Sequence, residues 1–258
     1  MQRVMTAIGL LAVSLYLIFL SSQPVFIAGA LGFALFCYRE FHHLVRGHGI
    51  PGPGVLGLLC GLSILFFPQF TLPAVSLAML AGFIRALRFA ELRNALAYTA
   101  CVLLGAFYTF APWRFAIDLR HQSVHLLLFA LALNWAGDSL AYYGGRAFGR
   151  HKLAPIVSPK KTWEGAGISV AGSVLFGLLY VGHFVPSLKL WQIVTMAALG
   201  NVAGQFGDLA ESAIKRGAGV KDSGNLLPGH GGMLDRLDSS LFALPVVYSL
   251  IRIFLRLN

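Results

Sequence analysis

From Val4 to Tyr38 the chain carries no charged side chain, and a second uncharged stretch runs from 52 to 84. Nothing else in the sequence restricts the fold as strongly. In hydrocarbon every backbone N–H and C=O must be satisfied inside the protein, and a run of roughly 17–25 apolar residues meets that condition as a helix. Nine such segments are readable, near 4–20, 24–38, 52–67, 70–86, 94–112, 122–143, 166–185, 190–207 and 239–256, with breaks at Pro24, Pro68 and Pro73. The expectation is an all-α, polytopic integral membrane helix bundle of about nine transmembrane spans. The composition agrees: 57% of residues are hydrophobic and 12% charged, about half the charged fraction of a soluble domain. The first apolar run continues into others, so it reads as a retained anchor. Cys37, Cys60 and Cys101 lie inside apolar runs without framework spacing and read as small buried hydrophobes.

The charged residues orient the chain. Net charge is +10, from 20 Lys+Arg against 10 Asp+Glu. With the N-terminus inside, 15 of the 20 basic residues fall on the cytoplasmic side, as the positive-inside rule requires. Both long polar stretches, 144–166 and 208–238, then face the cytoplasm. No basic, aromatic soluble module is visible, so nucleic-acid binding is not expected. His42, His43 and His48 read as solvated or headgroup contacts. Glu40, at the end of a span, reads as a structural acid.

Seven of the ten acidic residues lie in the last 121 positions. The chain is therefore read as one membrane-embedded domain, 1–258, with scaffold in 1–120 and the chemistry in 121–258. Asp208, Glu211, Ser212 and Lys215 are spaced i, i+3, i+4, i+7, which places them on one helical face. A solvated surface helix would show the same stripe. Ionisable groups are costly at membrane depth, however, and that favours a functional role. Next comes a loop with six glycines between Gly217 and Gly232, interleaved with Lys221 and His230 and preceded by Lys215 and Arg216. Glycine permits positive φ and lets backbone N–H groups approach an anion; with these cations the loop describes a phosphate cradle. Walker spacing is absent. Pro228-Gly229 suits the centre of a type II turn. Asp235 and Asp238 follow as the chain re-enters the membrane; a helix cap is the plain alternative for Asp238. Carboxylates of Asp208 and Asp235 converging on Mg²⁺, with phosphates completing the shell, would suit phosphoryl or nucleotidyl transfer. Upstream, Asn134, Asp138 and Tyr142 recur every four residues, and "SPKKTWEG" sets Lys160 and Lys161 beside Ser158 and Thr162.

These residues resemble the signature of the CDP-diacylglycerol synthase family, the phosphatidate cytidylyltransferases. That signature reads S-x-x-K-R, four residues, K-D-x-[GSA], then H-G-G-x-x-D-R-x-D. It is met by Ser212, Lys215, Arg216, Lys221, Asp222, Gly224, His230, Gly231, Gly232, Asp235, Arg236 and Asp238. The clear resemblance covers about 134–240. It implies transfer of CMP from CTP to phosphatidic acid, Mg²⁺ dependence with room for a second cation, and a homodimer in a bacterial inner membrane with its active site facing the cytoplasm. It further implies Lys215, Arg216, Lys221, Asp222, His230, Arg236 and Asp238 as catalytic residues. Ser158, Lys160, Lys161, Asp138 and Ser212 would bind substrate, and Asp208, Asp235 and Glu211 the metal. A transporter is disfavoured, because the acids lie at span ends and no inverted repeat is visible. An enzyme that consumes CDP-diacylglycerol would need a D-G-x-x-A-R pattern, and no Asp-Gly pair occurs in the chain.

Overall fold

The computed structural model describes residues 2–227, 229 and 231–257. Among the described residues the nine apolar segments appear as nine α-helices. They are α1 (Gln2–Leu15), α2 (Gln23–Gly47), α3 (Gly54–Phe66), α4 (Thr71–Ala86), α5 (Ala95–Gln122), α6 (Val124–Phe148), α7 (Trp163–Phe184), α8 (Leu190–Gly217) and α9 (Leu234–Leu257). Between α6 and α7 lies a short antiparallel pair, β1 (Lys152–Ala154) and β2 (Ser158–Thr162). The chain is thus an all-α integral membrane protein with one small hairpin. Among the described residues six helices are long and apolar enough to cross a membrane by length and composition, and Ile8–Leu20 and Gly54–Phe66 are shorter apolar helices.

The helices outrun the apolar segments because hydrogen bonding, not hydropathy, ends a helix. α2 continues through Arg39 to Gly47, α6 through Arg146 to Phe148, and α8 through Lys215 and Arg216 to Gly217. α9 begins at Leu234, five residues ahead of its apolar stretch. The two polar stretches therefore shrink to the segments 149–162 and 218–233. Local caps explain several starts. Ser123 Oγ accepts from His125 N–H at 3.2 Å ahead of α6, and Thr162 Oγ1 accepts from Gly165 N–H at 3.2 Å ahead of α7, each satisfying a donor the helix cannot.

The residues group into two compact units. The first holds α1–α4, α5 as far as Ile117, and the segment Ile214–Arg236. Its core joins Cys60 and Ile64 of α3 to Ala78 and Ala86 of α4 and to Tyr98, Val102 and Ala106 of α5. α2 buries Cys37, Tyr38, Glu40, Phe41, Leu44 and Val45, and the Tyr38 hydroxyl donates to the Gly54 carbonyl at 2.6 Å. α4 turns Leu72, Leu77, Leu80 and Ile84 outward, a surface suited to lipid.

The second unit holds Asp118–Ala213 and the part of α9 that begins at Leu237. Its α6 and α7 pack through small residues. A side chain at Gly137 would run into the Ser169 and Ser173 hydroxyls, the close approach that small residues allow between membrane helices. A buried polar chain ties α6, α7 and α8. Asn201 Nδ2 donates to Asn134 Oδ1 and to Ser169 Oγ, both at 3.1 Å, and Gln205 Nε2 donates to Asn201 Oδ1 at 2.6 Å.

Candidate active site

In the first unit the signature segment closes around Asp235. Its Oδ1 meets the Lys215 ammonium at 2.5 Å. Its Oδ2 accepts from Ser223 N–H at 2.9 Å and Gly232 N–H at 2.8 Å, with Ser223 Oγ 3.0 Å away. The side chains of Lys215 and Asp235 are only 10% and 5% exposed. A buried ion pair needs such extra hydrogen bonds to offset its desolvation. Gly231 has φ +78, and a Cβ there would stand 2.7 Å from Asp235 Oδ2. Glycine is required at this turn on both counts. Gly229, at φ +74, has the conformation expected at the third position of a type II turn, and Leu227 N–H closes the loop onto the Gly231 carbonyl at 2.9 Å. Pro228 and His230, the latter expected to be catalytic, lie outside the described residues.

Around this core the basic residues stay accessible. Arg216, Lys221 and Arg236 are exposed, as is Asp222. Arg216 donates to the Val220 carbonyl at 3.0 Å, holding the start of the loop. Lys215, by contrast, is buried, so its charge serves Asp235 from inside the fold.

The structure brings in Glu40 of α2, which the sequence alone leaves as a structural acid at a span end. The residue is 6% exposed, and its carboxylate accepts from Met233 N–H, Leu234 N–H and Ser223 Oγ at 2.8, 2.8 and 2.7 Å. One sequence signal pointed to it: Glu40 is the only acid in the first ninety residues.

The second unit holds the other predicted residues. Lys161 Nζ pairs with Asp208 Oδ2 at 2.6 Å, the two side chains 28% and 32% exposed. Ser212 Oγ donates to Asp208 Oδ1 at 3.3 Å. Lys160 is exposed on β2, and Ser158 is half-buried opposite Ala154. Glu164 anchors the hairpin to α7. It accepts from the backbone N–H of Arg150 at 3.1 Å and meets His151 Nδ1 at 2.6 Å. Asp138 lies at the surface and takes a 3.4 Å bond from Ser169 Oγ. Glu211 is fully buried. Asp238 lies within α9 rather than at its start, and its Oδ1 accepts from Ser239 N–H at 2.6 Å; because the helix begins at Leu234, Asp238 is not its cap.

The acids fit a hard divalent cation chemically. Asp235 and Asp208 are oxygen donors, and each already holds a cation, a lysine ammonium, at 2.5 and 2.6 Å. Among the described residues no three His, Cys, Asp or Glu side chains form a ready metal cage. Mg²⁺ does not need one, since it usually takes one or two carboxylates and completes its shell with water and substrate phosphates.

The chain matches the model of the "Cytidylyltransferase family" over residues 1–254. It is 33% identical over 257 residues to a phosphatidate cytidylyltransferase of Staphylococcus aureus (strain COL), covering 95% of this chain and 97% of that protein. A phosphatidate cytidylyltransferase of Staphylococcus saprophyticus is 33% identical over 261 residues, and one of Staphylococcus epidermidis 32% over 255, each at the same coverage of both chains. Similarity of this extent spans both the hydrophobic N-terminal half and the signature segment, and the chain belongs to the cytidylyltransferase family.

Proposed function

We propose that this chain is a CTP:phosphatidate cytidylyltransferase. The observation that carries the reading is the signature segment, ordered around the buried Lys215–Asp235 pair with Arg216, Lys221 and Arg236 left accessible at its surface. A phosphate oxygen of phosphatidic acid attacks the α-phosphorus of CTP. The bond from that phosphorus to the α–β bridging oxygen breaks, CDP-diacylglycerol forms, and pyrophosphate leaves with the electron pair. The nucleophile is already anionic, so no general base is required; positioning and charge stabilisation carry the rate.

The residues divide that work. Arg216, Lys221 and Arg236 neutralise the triphosphate and the charge that develops on pyrophosphate. The glycine-rich turn from Gly229 to Gly232, with His230, shapes the backbone around phosphate. In the second unit Lys160, Lys161 and Ser158 hold a substrate phosphate, and Asp138 and Ser212 border that region. Mg²⁺ bound through Asp235 or Asp208 would supply Lewis-acid polarisation of phosphate oxygens. Glu211, being buried, is the weakest of the three acids for that role, and Asp222 and Asp238 complete the signature's catalytic set. A second cation, a homodimeric state, nine spans and a cytoplasmic active site in a bacterial plasma membrane complete the proposal. The positive-inside charge distribution supports that orientation.

The test is a nucleotide panel. Protein purified in detergent is incubated with phosphatidic acid, Mg²⁺ and each of CTP, UTP, ATP and GTP, with a chelator control. Metal-dependent CDP-diacylglycerol from CTP is expected. Folded, lipid-bound protein that yields no liponucleotide from any of them would refute the reading.

A further inference from the structure

Glu40 belongs to α2, in the half of the chain that reads as scaffold, yet both of its carboxylate oxygens are spent on the signature segment. Oε1 takes Met233 N–H at 2.8 Å; Oε2 takes Leu234 N–H at 2.8 Å and Ser223 Oγ at 2.7 Å. Met233 and Leu234 stand at the start of α9, where N–H groups lack partners within the helix and the helix dipole favours an anion. A side chain from α2 thus caps a helix that begins almost two hundred residues later.

The same carboxylate reaches the other end of the turn. Ser223 Oγ lies between Glu40 Oε2 and Asp235 Oδ2, at 2.7 and 3.0 Å. Its single proton goes to the nearer oxygen, Glu40's. Ser223 and Met233–Leu234 bracket the glycine-rich turn, so one carboxylate pins both of its stems. The packing leaves no slack: a Cβ on Gly224 would come within 2.9 Å of Glu40 Oε1, and one on Gly232 would overlap the Glu40 carboxylate and Ser223 Oγ. α2 is a firm support. Phe41, Leu44 and Val45 beside Glu40 are buried. One turn beyond the last of these, His48 Nε2 meets the Ile214 carbonyl at 2.9 Å, and Gly47 abuts Ala218. α2 therefore touches the signature segment at Ile214, Ala218, Ser223 and Met233.

We infer that Glu40 is a positioning residue for the nucleotidyl-transfer site: it touches no substrate, and it fixes the turn between Ser223 and Leu234 in the shape that receives the CTP triphosphate. The kinetic part of this inference rests on the function proposed above; the structural part does not. Glu40→Gln keeps the shape of the side chain, but its amide NH₂ faces a donor where an acceptor is needed. Hydrogen exchange read by mass spectrometry on the full-length protein in detergent should show faster exchange over 223–236 and wild-type exchange in α4 and α6. In the same preparation the KM for CTP should rise about tenfold or more, the size of losing a hydrogen bond to a charged acceptor, with a smaller change in the KM for phosphatidic acid. Ser223→Ala removes only the hydroxyl bridge, one of the three bonds to Glu40, and should give the same pattern with a smaller rise than Glu40→Gln. It decides the question if Glu40→Gln does not fold. Wild-type exchange over 223–236 in the folded variant, or faster exchange with unchanged CTP kinetics, would overturn the inference. If wild-type protein turns over no nucleotide, the proposed function fails while the exchange result still judges the positioning.

Discussion

Lys215, on the last turn of α8, donates to Asp235, on the first turn of α9, at 2.5 Å, and both side chains are at most 10% exposed. That contact joins the two ends of the glycine-rich segment 216–234. In the second unit Lys161 and Asp208 make a pair of almost equal length, 2.6 Å, but 28% and 32% exposed. Burial separates the energetics of the two pairs.

Asp235→Asn should abolish turnover and also lower stability. It breaks a buried ion pair by removing one partner, which costs about 3–5 kcal/mol. Asp208→Asn breaks the half-exposed pair and should cost about 1 kcal/mol or less while still impairing activity. Thermal unfolding in detergent, run beside the assay, separates the two. Equal shifts in Tm would contradict the burial argument, and near-normal activity of Asp235→Asn would remove it from the site.

Lys160→Ala should leave stability within about 0.5 kcal/mol of wild type, since Lys160 is an exposed strand residue. Its effect should fall on substrate affinity, raising the KM for one substrate more than for the other. Steady-state kinetics with CTP and phosphatidic acid varied in turn reads this out. Two wild-type KM values would make the hairpin a topological element without a phosphate.

Gly231→Ala tests the turn itself. Alanine at φ +78 is strained by about 1–2 kcal/mol, and its Cβ would press on Asp235 Oδ2 at 2.7 Å. A folded protein with turnover reduced at least tenfold is expected. Full activity would mean that the backbone at this position is free to move without consequence.

Glu164→Gln should weaken the hairpin's hold on α7, because the acid receives Arg150 N–H and the His151 ring. Hydrogen exchange over 150–162 should rise while α7 itself keeps its protection through the Thr162 cap. Unchanged exchange there would show that the hairpin is held by other contacts.

The helices were legible because apolar runs and helices obey the same constraint in a membrane: each of the nine apolar segments contains or overlaps a helix, and among the described residues six helices are long and apolar enough to cross. Helix ends were not, because Arg146, Lys215 and Arg216 prolong helices that hydropathy would stop. The hairpin escaped notice since "KLA" and "SPKKT" are too short to show alternation. Within the site, the signature gave the identity of Lys215 and Asp235 but not their pairing, which depends on how the loop folds back. Glu40 was hidden for a different reason. Its partners, Ser223, Met233 and Leu234, are far away in sequence, and two of its three bonds go to backbone N–H groups that carry no residue signal. For Asp238 the cap alternative falls away because α9 starts earlier than the apolar stretch does.

The central claim is that the α-phosphorus of CTP is transferred to a lipid phosphate. It is tested most directly by following two labels through the purified protein with phosphatidic acid and Mg²⁺. With CTP labelled at the α-phosphate, the label should enter the lipid phase as CDP-diacylglycerol; with CTP labelled at the γ-phosphate, it should stay in water as pyrophosphate. Label from the γ-position in lipid, or from the α-position only in soluble CMP, would contradict the account.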